Sequence, residues 1–335
     1  MTPLLSICIP TYNRASLLET ALESIVSDSV FQETDKVEII ISDNCSPDNT
    51  QEVGLKYQAL YPDKIRYIRL SEPVTGDENF IRVLNEGKGL YLKLNNDRVF
   101  FKENTLSETI NLLENNDVGN VLFFLNEEDD LDELKLQICH GFDEFMKIVS
   151  YKVTWIGGFC VKSQEYHNII QPNKYSHLHF GHMYIISELL QTAQKSTVIY
   201  NHNLVDCFPS SYTRDYNFAK VFGNEFNQLL RIFIDNKILS KKTYRKVLKD
   251  ILLNINFIFR AEVSWNRAAF KNYFHYCFPV FGKYLFFYTS FISMLIKTFV
   301  ERFFCVTDED SVKLVIFGRT ICSRKKFNVS NKNGE

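Results

Sequence analysis

Two apolar runs within the first fifty residues constrain the fold more than any other feature of the chain. Residues 5–9 (Leu-Ser-Ile-Cys-Ile) end in Pro10-Thr11-Tyr12-Asn13-Arg14, and residues 37–41 (Val-Glu-Ile-Ile-Ile) end in Ser42-Asp43-Asn44-Cys45-Ser46-Pro47-Asp48. Rich in Ile and Val and scarcely alternating, they match strands buried on both faces of a parallel sheet. Their abrupt change to small polar residues is expected where the C-terminal ends of such strands face a ligand crevice. Between them, residues 16–26 place Leu17, Leu18, Ala21, Leu22 and Ile25 at helical spacing. Ser16 with Glu19 three residues on predicts a capping box at the start of that helix.

The alternation continues. A helix is expected over 50–61, ending at Pro62, followed by a strand over 65–70, a helix over 77–85, a strand over 90–94, a helix over 106–114 and a strand over 118–125. The acidic run 126–132 reads as a solvated loop, and residues 154–161 as a strand around the Gly157-Gly158 pair. The implied class is α/β, with a Rossmann-like, mostly parallel sheet. From about residue 211 the character changes to long basic, aromatic helical stretches over 218–235, 241–260 and 265–304. Two domains are therefore expected, 1–210 and 211–335. Their charges differ: 17 basic against 30 acidic residues in the first (net −13), and 21 against 10 in the second (net +11). So acidic a first part argues against a nucleic-acid-binding protein.

The turn Pro10-Thr11-Tyr12-Asn13-Arg14, the strand end Ser42-Asp43-Asn44 with Asp48-Asn49-Thr50 behind it, and the segment Gly87-Lys88-Gly89-Leu90-Tyr91-Leu92-Lys93-Leu94-Asn95-Asn96-Asp97 resemble the family 2 glycosyltransferases. Within that family the chain looks most like bacterial O-antigen and capsule enzymes related to abequosyltransferase. The motifs cover roughly the first hundred residues, and a weaker similarity runs to about residue 215. The resemblance implies a GT-A nucleotide-diphospho-sugar transferase fold and sugar transfer, by family default inverting, from a nucleotide-diphosphate donor to a polyprenyl-diphosphate-linked glycan. On that basis Asp43 contacts the base, the Pro10-Thr11 turn supports the ribose, and Asn79 lies near the donor; Asn13, at the same strand end, is a further donor-site candidate. The family's Asp-x-Asp metal signature is altered here to Asn95-Asn96-Asp97-Arg98, in which only Asp97 is a carboxylate and Arg98 places a cation where an acid could stand. Mg2+ or Mn2+ would then be held chiefly by Asp97, with Asn96 beside it. Lys88 and Lys93 are further candidates for a phosphate contact, or ordinary solvated lysines.

The acidic base that the family carries in a late loop is missing from this sequence. Residues 175–184 instead hold His177, His179 and His182 just before an apolar helix over 184–190. An imidazole with a pKa near 6.5 suits proton abstraction at neutral pH, and a helix N-terminus would keep His182 neutral. His182, or failing it His179, is the expected acceptor-side base; the competing reading is loop histidines bonded to backbone. His202 is a weaker candidate for a metal or phosphate contact, and Trp155 is either a sugar platform or a core residue. Eight scattered cysteines without a C-x-x-C pair read as reduced thiols. With no basic segment and apolar core at the N-terminus, the expected location is the cytoplasm, peripheral to the inner membrane. The uncharged run 284–296 is too short to span a bilayer, but with Lys283 and Lys297 at its flanks it suits an interfacial helix. The alternative to an enzyme is a non-catalytic sugar-nucleotide binding or assembly protein.

Overall fold

The structure is a computed structural model describing residues 2–125, 136–191, 196–200, 204–207, 217–262, 267–307, 311–316 and 319–325. In chain order, the first half contains β1 (Leu5–Thr11), α1 (Ala15–Val26), α2 (Ser29–Glu33), β2 (Val37–Asp43), α3 (Thr50–Leu60), β3 (Ile65–Arg69), α4 (Gly76–Glu86), β4 (Tyr91–Leu94), β5 (Val99–Phe101) and α5 (Thr105–Asn115). There follow β6 (Val121–Phe124), β7 (Leu136–His140), α6 (Gly141–Val149), β8 (Phe159–Lys162), α7 (Ser163–His167), α8 (Gly181–Leu189), β9 (Ser196–Tyr200), β10 (Val205–Cys207), α9 (Phe226–Asp235) and α10 (Lys241–Glu262).

Eight strands form one sheet in the order β3-β2-β1-β4-β8-β6-β9-β7. β3, β2, β1 and β4 are all parallel, as the alternation of strands and helices requires. β8 runs antiparallel to both β4 and β6, so the sheet is mixed beyond β4; the two short 3-10 turns over 150–158 feed β8 in against its neighbours. Ile7, Ile9, Ile39 and Ile41 are fully buried with Leu18, Leu22 and Ile25 of α1 in the same core. Each such side chain contributes roughly 1.5–3 kcal/mol by leaving water. Register brings Thr11, the last residue of β1, opposite Asp43, the last of β2, so two polar strand ends meet at one edge.

The predicted capping box is not at α1. That helix starts one residue earlier, and its first amide, on Ala15, donates to Asp48 from the loop after β2 (3.0 Å). Asp48 also accepts from the Thr50 amide and hydroxyl, bonds that hold its carboxyl below the usual range despite partial burial. The capping box occurs instead on α4, where Thr75 and Glu78 satisfy each other's backbone. Two residues past each strand end stands a left-handed residue, Asn13 (φ 54°) after β1 and Cys45 (φ 60°) after β2.

The chain divides into compact units 1–250 and 251–335, forty residues later than the expected boundary at 210/211. α9 belongs to the first unit because its apolar face is buried there: Phe233 packs on Phe142 (ring centroids 4.7 Å apart) and Phe226 on Phe180 (5.3 Å). The second unit holds the end of α10, α11 (Arg267–Phe281), α12 (Leu285–Phe304) and an unforeseen antiparallel sheet of β11 (Cys305–Thr307), β12 (Ser311–Ile316) and β13 (Arg319–Lys325). The single helix read over 265–304 breaks at Gly282, where a Cβ would stand 2.6 Å from the Phe278 carbonyl oxygen. Tyr273 anchors this unit, fully buried against Phe287 and Phe291 with its hydroxyl donating to Asn256. Among the described residues no helix is long and apolar enough to cross a membrane.

Candidate active site

The C-terminal edge of β1, β2 and β4 gathers most of the expected site residues. Pro10 and Thr11 close β1, Asp43 closes β2, and Asn95, Asn96 and Asp97 follow β4 directly. Because β1 lies between the other two strands, Thr11 reaches the turn after β4: its hydroxyl donates to Asp97 Oδ2 (2.9 Å). Asp97 Oδ1 accepts from Arg14 Nη1 (2.9 Å). Asp97 is fully buried, which raises its carboxyl above the ordinary range against the opposing charge and hydrogen bond of Arg14 and the bond from Thr11. Arg14, from the first turn past β1, is therefore a site residue that the sequence reading overlooked; it stands in the very motif that carries the resemblance.

Asp43 is equally buried and has three donors. Its Oδ1 accepts from the Ser46 amide (2.9 Å), and its Oδ2 from the Tyr67 hydroxyl and from Arg69 Nη1 (2.9 Å). Tyr67 can lie over α3 only because residue 54 is glycine, since a Cβ there would stand 2.1 Å from the ring. Asn13 is exposed, and its amide donates to Ser46 Oγ (2.8 Å), joining the two strand exits. Asn79 on α4 is buried and ties that helix to β2, accepting from the Ser42 hydroxyl (2.6 Å) and donating to the Ser42 carbonyl (3.0 Å). The Asn44 side chain holds the Val74 backbone by two bonds (2.8 and 2.7 Å), so α4 begins at this same edge.

The turn after β4 bears directly on the expected metal. Asn96 Oδ1 accepts from the Arg98 amide (3.0 Å), and Asn95 Nδ2 donates to the Val99 carbonyl (3.0 Å). Asp97 has both oxygens engaged, one by a guanidinium. A divalent cation needs several hard oxygen donors with negative charge; here a single carboxylate is already paired with a cation, so these residues do not fit Mg2+ or Mn2+. Among the described residues no group of three or more His, Cys, Asp or Glu is placed to hold a metal ion.

His182 requires correction as the acceptor base. It sits in the second position of α8, 1% exposed, beside Phe80, Phe159 and Phe180, with Nε2 donating to the Val153 carbonyl (2.8 Å). Burial lowers its pKa to about 4. The imidazole is neutral, as expected at a helix start, but desolvation is the cause, and the ring fastens α8 to the turn over 150–154. His179 lies on the surface, with Nδ1 3.0 Å from the carboxylate of the buried Glu225, which also meets Lys220 (3.2 Å).

Asp77 escaped the sequence reading. It lies in the first turn of α4 and accepts a hydrogen bond from the Gly181 amide at the start of α8; burial lifts its carboxyl to about 7. The Asp-Glu pair at 77–78 just after a helix cap was the available signal. Lys93 is no phosphate contact: it is 2% exposed within β4, its ammonium donating to the Gly157 carbonyl (2.7 Å) and facing the Phe101 and Phe124 rings. The Lys88 side chain is exposed. Trp155 packs against the main core, over Gly157. His202 and the acidic run 126–132 lie outside the described residues. The cysteines with described side chains, Cys8, Cys45, Cys139, Cys160 and Cys277, are free thiols.

A parallel β3-β2-β1-β4 half-sheet with polar residues gathered at its C-terminal edge, followed by an antiparallel strand, is the GT-A type of nucleotide-sugar transferase fold. Among solved structures, S. aureus TarS 1–349 in complex with UDP-GlcNAc superposes with a TM-score of 0.57 at 11% identity, over 92% of this chain and 96% of that one, a likeness of fold. The family described as glycosyl transferase family 2 matches residues 6–190, more than half of the chain, and the chain belongs to that family. Abequosyltransferase RfbV of Salmonella typhimurium is 40% identical over 88 residues, 26% of each chain. An uncharacterized glycosyltransferase of Mycoplasma pneumoniae, the MG060 homolog, is 26% identical over 158 residues, 47% of this chain and 51% of the relative. The chain thus spans between a quarter and a half of the length of these curated relatives.

Proposed function

We propose that the chain transfers a sugar from a nucleotide-diphosphate donor to a lipid-linked oligosaccharide in bacterial surface polysaccharide (O-antigen or capsule) biosynthesis. The observation that carries this reading is the joined edge of β1, β2 and β4, where Thr11 and Arg14 hold Asp97 while Ser46, Tyr67 and Arg69 hold Asp43 before any ligand arrives, the preorganisation that transfer chemistry needs. Base and ribose lie against Asp43, Asn13 and Thr11. The acceptor oxygen attacks the anomeric carbon and gives its proton to Asp77, while the bond from that carbon to the phosphate oxygen breaks and the nucleoside diphosphate leaves with the electron pair. Asp77 suits this step because a carboxylate of pKa about 7 is available as a base at neutral pH. The family's usual divalent cation has no part in this scheme, since the donor set at Asp97 does not fit it.

The lipid-linked acceptor and the inner-membrane surface, on its cytoplasmic side, are supported by the similarity to the abequosyltransferase and by the second unit. On α12, Leu285, Tyr288, Ile292, Ile296 and Phe299 are all exposed and recur at the spacing of one helix face. Lys283 and Lys297 stand beside that stripe, as in a helix that lies in an anionic interface.

The test is a panel of UDP-, GDP-, CDP- and dTDP-sugars assayed for nucleotide release with a lipid-linked acceptor extract. Acceptor-dependent release from one donor supports the transferase. Nucleotide binding without release from any of them favours the non-catalytic sugar-nucleotide binder.

A further inference from the structure

The turn that follows β4 carries two neutral amides, one carboxylate and one cation where the family's signature is acidic. Of residues 95–98 only Asp97 can carry negative charge, and both of its oxygens are occupied. Arg98 comes next. Its backbone amide is fixed by Asn96 Oδ1 (3.0 Å), its charge acts on Asp97, and its Nε is buried with no hydrogen-bond partner among the described residues. A buried guanidinium N–H without an acceptor is costly, and such orphans call for a missing ligand group. Arg14 flanks the same carboxylate from the β1 side. Its side chain is 37% exposed, and Asp97 engages only one of the five donors of its guanidinium. Two arginines around one carboxylate leave the Arg14–Asp97–Arg98 group with one positive charge in excess, in the rigid, planar geometry that pairs with phosphate oxygens.

We propose that Arg14 and Arg98 bind the diphosphate of a nucleoside diphosphate directly, and that binding needs no divalent cation. This rests on the nucleotide-sugar reading given above. Arg98 would supply, through guanidinium hydrogen bonds, the charge that a metal supplies where a second carboxylate stands in its place, and Asp97 would orient Arg14 instead of ligating a metal. As the bond to the sugar breaks, the negative charge growing on the leaving diphosphate is met by donors already fixed in the fold.

The experiment is calorimetric titration of the full chain with UDP, GDP, CDP and dTDP, each in excess Mg2+ and in excess EDTA, for the natural sequence and for Arg98→Gln and Arg98→Asp. At least one nucleoside diphosphate is expected to bind with the same affinity, to within about twofold, in Mg2+ and in EDTA. Arg98→Gln is expected to weaken it about tenfold or more, the loss of one charge-assisted pair, while the affinity for the corresponding nucleoside is unchanged. Arg98→Asp, which restores a second carboxylate, is expected to make binding depend on Mg2+. Thermal unfolding of each variant verifies folding, and among the described residues the Arg98 side chain has no hydrogen bond for its replacement to break. Binding that requires Mg2+ in the natural sequence, or binding indifferent to Arg98→Gln, overturns the proposal and leaves the donor reading intact. If no nucleoside diphosphate binds under either condition, both fall.

Discussion

The two units place their exceptional groups on opposite sides of the water boundary. The first buries polar side chains: Thr11, Asp43, Asn79, Asn95, Asp97 and His182 are each under 4% exposed. The second exposes apolar ones, with Leu285, Ile292 and Ile296 each more than half exposed. Burying a polar group is unfavourable unless its partners are exact in position, so the first unit accepts that cost to hold its donors and acceptors in one geometry. An exposed apolar stripe specifies no geometry and stays favourable only where something apolar covers it. Substitution should therefore act through geometry in one unit and through partition in the other.

The largest separation is expected at Asp77. Asp77→Asn keeps an acceptor for the Gly181 amide and removes the base, so turnover should fall about 10²- to 10⁴-fold with nucleotide affinity unchanged. The natural enzyme should show an acid limb near pH 7 that Asp77→Asn lacks. Its folded pKa of about 7 exceeds the unfolded value of 3.8, so stability is fully present below pH 3.8 and declines as pH rises through 7. Asp77→Asn should consequently be the more stable form at pH 8, by about 1–2 kcal/mol after allowance for partial solvent screening. Thermal melts at pH 5 and pH 8 would show the crossover.

His182→Ala should cost about 2–3 kcal/mol from the cavity and the lost bond to Val153, while the folded fraction keeps its turnover; loss of turnover at full stability would return His182 to the chemistry. The natural protein should also lose stability as pH falls from 6.5 toward 4, because the unfolded imidazole takes a proton that the buried one refuses. Gly54→Ala forces the Tyr67 ring aside and with it a donor to Asp43, at a cost of about 1–3 kcal/mol and weaker nucleotide binding. The smallest effect on stability belongs to the second unit. Ile292→Glu with Ile296→Glu should change the unfolding free energy by less than about 0.5 kcal/mol yet abolish flotation with anionic vesicles, and undiminished flotation would sink the interfacial reading.

The β1 and β2 strands and their polar exits were legible because a two-sided buried strand leaves an unbroken apolar run, and a strand-end edge leaves a sudden polar one. The convergence of Thr11, Asp43 and Asp97 followed from the parallel order. The roles of single side chains were less legible, since they depend on which way a residue faces. His182 and Lys93 have the chemistry of a base and of a phosphate ligand, yet both point inward, and nothing in a one-dimensional spacing separates Lys93 in β4 from an exposed lysine. Arg14 and Asp77 act through contacts with residues 83 and 104 positions away, and no local pattern announces such pairs. The boundary moved to residue 250 because α9 directly precedes the basic α10 and reads as one aromatic helical region with it, while its Phe226 and Phe233 face the first core.

The two left-handed exits have a consequence for how this sequence can drift. Asn13 and Cys45 occupy the same point of two neighbouring strand-to-loop bends, and positive φ is tolerated best by glycine and asparagine and worst by β-branched side chains. The backbone alone therefore keeps the permitted alphabet short at both positions, before any contact of Asn13 with a donor is counted. Cys45 is the atypical letter of the two, and a saturation library selected only for folding should exchange it readily for Gly or Asn while excluding Val and Ile at both bends. A restricted set of residues at Cys45 would then reflect backbone shape, whereas at Asn13 backbone shape and contact with the donor would act on the same residue.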